Sequence, residues 1–322
     1  MDKINNKALV SILMPTYNHE KFIAQAIESA FSQKTDYSWE LLINDDCSTD
    51  KTLEIARKYQ EKNPDKIKIF THEKNQGLLK SYKCLLENSD GKYFAVLESD
   101  DIWSDSSKLQ KQISFLESHD DYGLCCSDYY TIDENGKKTG EVVKDFDKGL
   151  NGEWYDALMD FSSIGALTLV IRKSVYDKYC DIDDYIEKKF QTFDRATWLS
   201  VSKHSKCFFI HEKLASYRVM NSSISNSGKF QKALSFANSI MDIHEYIIQK
   251  EGLGKTSREE FDEKKQLWFI NLSINHRNYK EFKKHAKMLE GKSAKCKIIH
   301  NFPCFAWIFY ELKHPIPRHL KK

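Results

Sequence analysis

Leu9–Met14 is an apolar run broken only by Ser11 and stopped by Pro15, the pattern of a strand covered on both faces and followed at once by a loop. Behind it Phe22, Ile23, Ala26, Ile27 and Ala30 recur at helical spacing, and the same pair of patterns returns as Trp39–Ile43 followed by Leu53, Ile55, Ala56 and Tyr59. The alternation continues through a strand at Ile67–Phe70, a helix from Gly77 to Asn88, a strand at Tyr93–Leu97, a helix over Lys108–Ser118 and a strand at Tyr122–Ser127. Strands alternating with helices predict an α/β chain with a mainly parallel, twisted, doubly wound sheet. Such sheets bind ligands beyond the carboxyl ends of their strands, so the turns that follow strands are where chemistry is expected.

The 322 residues suffice for one large α/β domain with an appendage. Past Lys144 the pattern loosens, leaving Ala166–Arg172, Lys206–Ile210 and Leu214–Arg218 as candidate strands, and from Lys229 the chain reads as helical. The expected division is an α/β unit over 1–228, with halves over 8–128 and 129–228, and a helical extension over 229–322, the boundary falling near Gly228. With 30% charged and 41% hydrophobic residues the chain fits a water-soluble globular protein, and a net charge of +2 excludes a broad electrostatic attraction to nucleic acid. The eight cysteines lack paired C-x-x-C spacing and Cys125–Cys126 are adjacent, which points to reduced thiols. Met1–Lys7 is polar and Ala8–Met14 too short for a signal peptide or a span, so a cytoplasmic location is expected.

Three turns after strands are rich in acids or turn formers. Pro15-Thr16-Tyr17-Asn18 offers backbone amides and a ring for a planar base, or simply a helix-capping Asn. Asn44-Asp45-Asp46-Cys47-Ser48-Thr49-Asp50 places acids where a nucleobase or ribose hydroxyl could donate to them, and capping by Ser48, Thr49 or Asp50 would explain only one acid. Glu98-Ser99-Asp100-Asp101 sets neighbouring carboxylates at the mouth of the sheet, where a divalent cation would relieve their repulsion; hard oxygen ligands suit manganese or magnesium, which also bridge phosphates.

In this order, each after a strand, the three turns resemble the inverting nucleotide-sugar glycosyltransferases of family 2. The matching pieces are Val10–Asn18, Asn44–Asp50, Asn75-Gln76-Gly77, Gly91-Lys92-Tyr93 leading into Glu98–Asp101, and Tyr217-Arg218, so the resemblance spans Ala8 to Ser225. It implies the GT-A fold, a Rossmann-like sheet flanked by helices, and a nucleoside-diphosphate sugar as donor, a UDP-sugar above all. It further implies that Pro15, Thr16, Tyr17 and Asn18 line the nucleotide pocket with Gly77, that Asp46 contacts the uracil and Asp100 the ribose or sugar side, and that Asp101 is the main protein ligand of Mn2+ or Mg2+. Asp194, in Gln191-Thr192-Phe193-Asp194-Arg195, matches the family's general base, although it also reads as a helix N-cap. Arg218 matches a residue that closes over the diphosphate. Many relatives place a His two residues after this Arg; Met220 stands there, leaving water or His211 to complete the cation's shell. Lys80 and Lys83 could reach phosphate but read more simply as exposed helix lysines.

The expected acceptor is a saccharide or glycolipid in surface-polysaccharide synthesis, with no code legible for its identity in Lys144–Ile164 or around Phe190. Lys295–Leu312, with its apolar stripe flanked by lysines and interrupted by Pro303, suits a membrane surface or a packing surface such as a homodimer contact. Three other classes fit less well. A signalling receiver domain needs its acid pair after the first strand, where Pro15-Thr16-Tyr17 stands. A nucleotidyltransferase needs a Gly-rich basic loop there. A sugar-nucleotide binder without catalysis would not need Asp46, Asp101, Asp194 and Arg218 together.

Overall fold

The computed structural model describes residues 8–144, 147–220, 229–289 and 294–307. The expected boundary at Gly228, and the part of the tail beyond residue 307, lie outside the described residues.

The elements run β1 (Val10–Thr16), α1 (Ile23–Phe31), β2 (Trp39–Asp45), α2 (Thr52–Lys62), β3 (Ile67–Thr71), α3 (Leu78–Glu87), β4 (Tyr93–Val96), α4 (Lys108–Ser118), β5 (Tyr122–Ile132) and β6 (Lys138–Val142). They continue as α5 (Tyr155–Met159), β7 (Val170–Arg172), α6 (Lys173–Tyr179), α7 (Ile182–Glu187), α8 (Asp194–His204), β8 (Lys206–Arg218), α9 (Phe230–Glu251), α10 (Arg258–Asn275), α11 (Tyr279–Lys287) and α12 (Ala294–Asn301). One sheet takes the order β3-β2-β1-β4-β7-β5-β6, with β8 beside β5. The first four strands are mutually parallel, β7 is antiparallel to both neighbours, and β8 runs parallel to β5. This is the mainly parallel sheet flanked by helices that the sequence predicts.

Helices cover both faces, which is why β1 is buried along its whole length. Leu13, Leu42, Phe94 and Val96 face α3, α8 and α9 through Leu85, Leu199 and Ile243. Their neighbours Ile12, Met14, Leu41 and Ala95 face the opposite layer, against Ile27, Leu109 and Ile113. At the amino ends of the strands Gly91 is indispensable: a Cβ there would meet Tyr93 O at 2.5 Å and Ser11 N at 2.7 Å. Its amide donates to Ser11 Oγ (3.0 Å), which in turn donates to Glu40 (2.7 Å) and so ties β1, β2 and the approach to β4 together.

Two strand assignments differ from the structure. Within Ala166–Arg172 only Val170–Arg172 is extended; Ala166–Thr168 is a tight turn, because Thr168 N and Oγ1 and Leu169 N bond back to Gly165 and Ala166 instead of a neighbouring strand. Lys206–Ile210 and Leu214–Arg218 are one strand, β8, whose register with β5 shifts around Asp128 so that the intervening polar residues are absorbed as an irregularity. None of the eight cysteines is in a disulfide. No helix among the described residues is long and apolar enough to cross a membrane.

Because β2 and β3 lie on one side of β1 and β4 on the other, the winding reverses between the carboxyl ends of β1 and β4. Crevices of this kind are where open α/β sheets bind ligands.

Candidate active site

The crevice is bridged at its floor, where Ser99 Oγ, just past β4, donates to Thr16 Oγ1 at the end of β1 (2.8 Å). His19 Nδ1 lies 2.7 Å from the same Ser99 oxygen. The β1 and β2 turns are sewn together in the same way. Asp46 N donates to Thr16 O (2.9 Å), Asn18 N to Ser48 Oγ (2.9 Å), and Thr49 N to Asn18 Oδ1 (2.8 Å). Asn18, in the left-handed region at φ 56°, is therefore a strap between loops and caps no helix. Pro15 pairs in register with Asn44 inside the sheet, whereas Tyr17 stands 42% exposed at the rim.

The Asp45-Asp46 pair divides its work. Asp45 Oδ2 accepts from Ser48 N (3.0 Å) and closes its own turn. Asp46 is buried and reaches the next loop, accepting from Gln76 N (2.8 Å) and Gly77 N (2.7 Å). Gly77, at φ 90° and ψ 162°, occupies a conformation that side chains disfavour and starts α3 from it. Asp46 thus fixes where α3 begins.

On the β4 side, Glu98, Asp100 and Asp101 each offer an oxygen within 4.8 Å of the others'. Asp101 is buried; its Oδ1 accepts from Arg218 N (2.8 Å), and its Oδ2 has no hydrogen-bond partner. Burial, then the charges of Asp100 and Glu98, push its carboxyl well above the usual range. Glu98 accepts from Tyr82 OH (3.1 Å) and is pushed up to about 8, by burial first and then by Asp100 and Asp194. An orphaned buried carboxylate oxygen among three gathered acids is the donor set of a hard divalent cation. Sequence reasoning singled out Asp101 as ligand and left Glu98 without that role, although it stands in the same four-residue turn.

Arg218 holds this turn from behind. Its side chain is fully buried, with Nε donating to Asp100 O (2.8 Å), one terminal nitrogen to Asp133 O (3.0 Å) and Glu134 O (3.1 Å), and the other to Gln25 (2.9 Å). The guanidinium sits 4.7 Å over the Phe22 ring. In this arrangement four of its five N–H donors are engaged by the protein. Met220 is buried too, and His211 pairs with Asp147 (3.3 Å), outside the acid cluster. Lys83 pairs with Asp183, and Lys80 is exposed.

Asp194, the first residue of α8, lies near enough to the acid cluster for its charge to raise Glu98. Its Oδ1 accepts from Arg195 N (2.8 Å) and from Thr192 Oγ1, and burial raises its carboxyl above the ordinary value. Tyr82 links it to the acids: while its hydroxyl donates to Glu98, its ring stacks on Phe193 with centroids 4.2 Å apart and planes 16° from parallel. Tyr129 lies near both acid groups, pushed up to about 12 mainly by burial, with Asp101 and Asp194 among the lesser causes. Nothing in the local sequence marked Tyr82, His19 or Tyr129, because each is assigned by partners 16 to 111 positions away in the chain and not by its neighbours.

A sheet wound in this order, with acids gathered at its switch point, is the architecture of the GT-A transferases. The family model described as glycosyl transferase family 2 matches residues 11–178, and the chain belongs to that family; it is a glycosyltransferase. The Escherichia coli UDP-Glc:α-D-GlcNAc-diphosphoundecaprenol β-1,3-glucosyltransferase WfgD is 33% identical over 229 residues, covering 70% of this chain and 82% of that protein. Two solved structures share the fold. TarS 1–349 of Staphylococcus aureus in complex with UDP-GlcNAc has a TM-score of 0.61 at 15% identity, covering 94% of this chain and 88% of that one. The Pyrobaculum calidifontis mannosyltransferase in complex with GDP-Man and Mn2+ has a TM-score of 0.57 at 13% identity, covering 96% and 84%.

Proposed function

We propose that this glycosyltransferase inverts the anomeric centre as it moves a sugar from a UDP-sugar to a hydroxyl of a lipid-linked or surface saccharide. The observation that carries the reading is the partnerless Oδ2 of Asp101 inside the Glu98–Asp100–Asp101 cluster, with a separate carboxylate, Asp194, near enough for its charge to raise Glu98. The names of two similar proteins support it: WfgD uses UDP-Glc and a diphosphoundecaprenol-linked acceptor, and TarS binds UDP-GlcNAc.

In this reading Tyr17 stacks on the base, edged by Pro15, Thr16 and Asn18. Asp46 uses its second lone pairs to accept from the uracil while its first ones hold Gln76 and Gly77 in place. Asp101 and Glu98 would hold a divalent cation, and Asp100, half-buried, would face the ribose and donor sugar. When bound, the cation, Mn2+ or Mg2+, neutralises charge on the departing diphosphate. Arg218 keeps the Asp100–Asp101 turn in shape. Asp194 takes the proton of the acceptor hydroxyl as that oxygen bonds to the anomeric carbon, while the carbon–oxygen bond to the diphosphate breaks on the other face and UDP leaves with the pair. A carboxyl held above its ordinary pKa by burial is a stronger base than an exposed one. Residues 1–228 supply this chemistry, and the helices of 229–322 form an extension with a different task.

A thermal-shift panel of nucleotide sugars with and without manganese tests the assignment, because a ligand that binds only the native state raises the melting temperature. A UDP-sugar should raise it in manganese and not in chelator. A panel with no response, or one indifferent to manganese, would remove the reading.

A further inference from the structure

The last described helices close a small core of their own, away from the crevice, in which Ile270, Phe282, Ala286, Leu289, Cys296 and Ile299 pack together. α11 and α12 form an antiparallel hairpin: Tyr279, opening α11, meets Cys304 Sγ at 2.8 Å and the Trp307 ring at 5.4 Å, both beyond the end of α12. The helical bonding continues past α12, with Phe302 N donating to Ile298 O (2.9 Å) and Ala306 N to Phe302 O (3.0 Å).

This hairpin does not bury its whole apolar stripe. Cys296, Ile299 and Ala306 turn inward, whereas Ile298, Phe302 and Phe305 are 55%, 57% and 73% exposed. Ile298 lies on α12, and Phe302 and Phe305 follow across the break at Phe302-Pro303. Met288, at the close of α11, is exposed as well. On α11, Lys280, Lys283, Lys284 and Lys287 fall at i, i+3, i+4 and i+7, all exposed and opposite the buried Phe282, His285 and Ala286. Among the described residues the one acid on α11 is Glu281, which engages Lys284 (2.5 Å). The sequence after residue 307 adds Ile308, Phe309 and Tyr310, and the cations Lys313, Arg318, Lys321 and Lys322 against a single acid, Glu311.

We propose that this hairpin is a docking surface for an anionic lipid bilayer, with Ile298, Phe302 and Phe305 entering the headgroup region and the α11 lysines resting on lipid phosphates. Exposed apolar residues and an exposed lysine stripe on one hairpin match such a surface on both counts. A second copy of the chain fits less well, because a two-fold contact would set one lysine stripe against the other, and interface cores are depleted of lysine. The inference is independent of the catalytic reading, since lipid binding is measured without turnover.

The test is co-sedimentation of the full chain with vesicles of phosphatidylcholine alone and of phosphatidylcholine mixed with phosphatidylglycerol, alongside two variants: Phe302→Ser with Phe305→Ser, and Lys280→Gln with Lys283→Gln and Lys287→Gln. All five side chains are exposed, so the melting temperature should be unchanged in both. The wild type should partition onto the anionic vesicles far more than onto the neutral ones, and each variant should lose on the order of tenfold or more of that partition. Equal binding to both vesicle types, or undiminished binding by either variant, would overturn the proposal. So would a wild-type dimer that the phenylalanine variant converts to monomer with vesicle binding unchanged.

Discussion

Asp101→Asn should make the metal-free protein more stable while depriving it of its response to manganese. The Asn side chain keeps an Oδ1 to accept from Arg218 N, and its amide replaces the orphaned Oδ2 with a donor aimed at the remaining acids. At separations of 4–5 Å two like charges repel by roughly 3–4 kcal/mol at an effective dielectric constant near 20. Burial raises both carboxyls and so discounts this repulsion, leaving a net gain at pH 8 of about 1–3 kcal/mol, or a few degrees in melting temperature. The pH dependence has a definite sign. Glu98 titrates at about 8 in the folded chain against 4.5 for the free group, and Asp101 is raised as well. The folded state therefore holds more protons than the unfolded one between those values, and stability in chelator should fall as pH rises from about 4.5 through about 8. Manganese at a hundred times its dissociation constant should restore about 2.7 kcal/mol to the wild type and almost nothing to the variant. Differential scanning fluorimetry in chelator and in manganese, at pH 6 and pH 8, reads all four states. A variant less stable than the wild type in chelator at pH 8, or one that keeps the full manganese shift, would refute the reasoning.

Tyr82→Phe keeps the stack on Phe193 but removes the hydroxyl that lowers the Glu98 pKa, so the acid limb of manganese-dependent turnover should move to higher pH and kcat fall about tenfold; a superimposable pH–rate profile would count against the link. Gly91→Ala forces a Cβ to within 2.5 Å of the Tyr93 carbonyl and 2.7 Å of the Ser11 amide, and urea unfolding should show a loss of about 3 kcal/mol or more. Arg218→Lys cannot reproduce a fork that reaches Asp100, Asp133, Glu134 and Gln25 together, so it should cost about 2–4 kcal/mol and blunt the manganese shift in the same fluorimetric assay.

The sheet was legible because β1, β2 and β4 are buried on both faces, and such strands leave largely apolar runs in the chain. The second half was not, for a physical reason. β6 is exposed along most of its length and α5 to α7 are short, so neither shows a full period of burial, and β8 hides one strand behind an irregularity in register. Asp46, Glu98, Asp100 and Asp101 could be picked out because they follow β2 and β4, where such a fold binds ligands, whereas Asp194 opens α8 and follows no strand. Which partner each meets could not. Asp46 spends its oxygens on the amides of Gln76 and Gly77, and Arg218 spends its fork on backbone carbonyls, arrangements that depend on loops brought together from distant parts of the chain. Tyr82 was invisible in the same way: at the level of sequence it is one more apolar position of α3, and only the packing of α3 on α8 sets it between Glu98 and Phe193.

The release of UDP from a UDP-sugar, followed with an acceptor saccharide in manganese, compares the wild type with Asp194→Asn most directly. The variant keeps the shape of the α8 start, where Oδ1 accepts from Arg195 N, but has no carboxylate to take the acceptor proton. The account predicts manganese-dependent turnover in the wild type, abolished by chelator and restored by added metal, and a loss of on the order of a hundredfold or more in kcat for Asp194→Asn with the donor still bound. Equal turnover by the variant, or turnover indifferent to chelator, would contradict it.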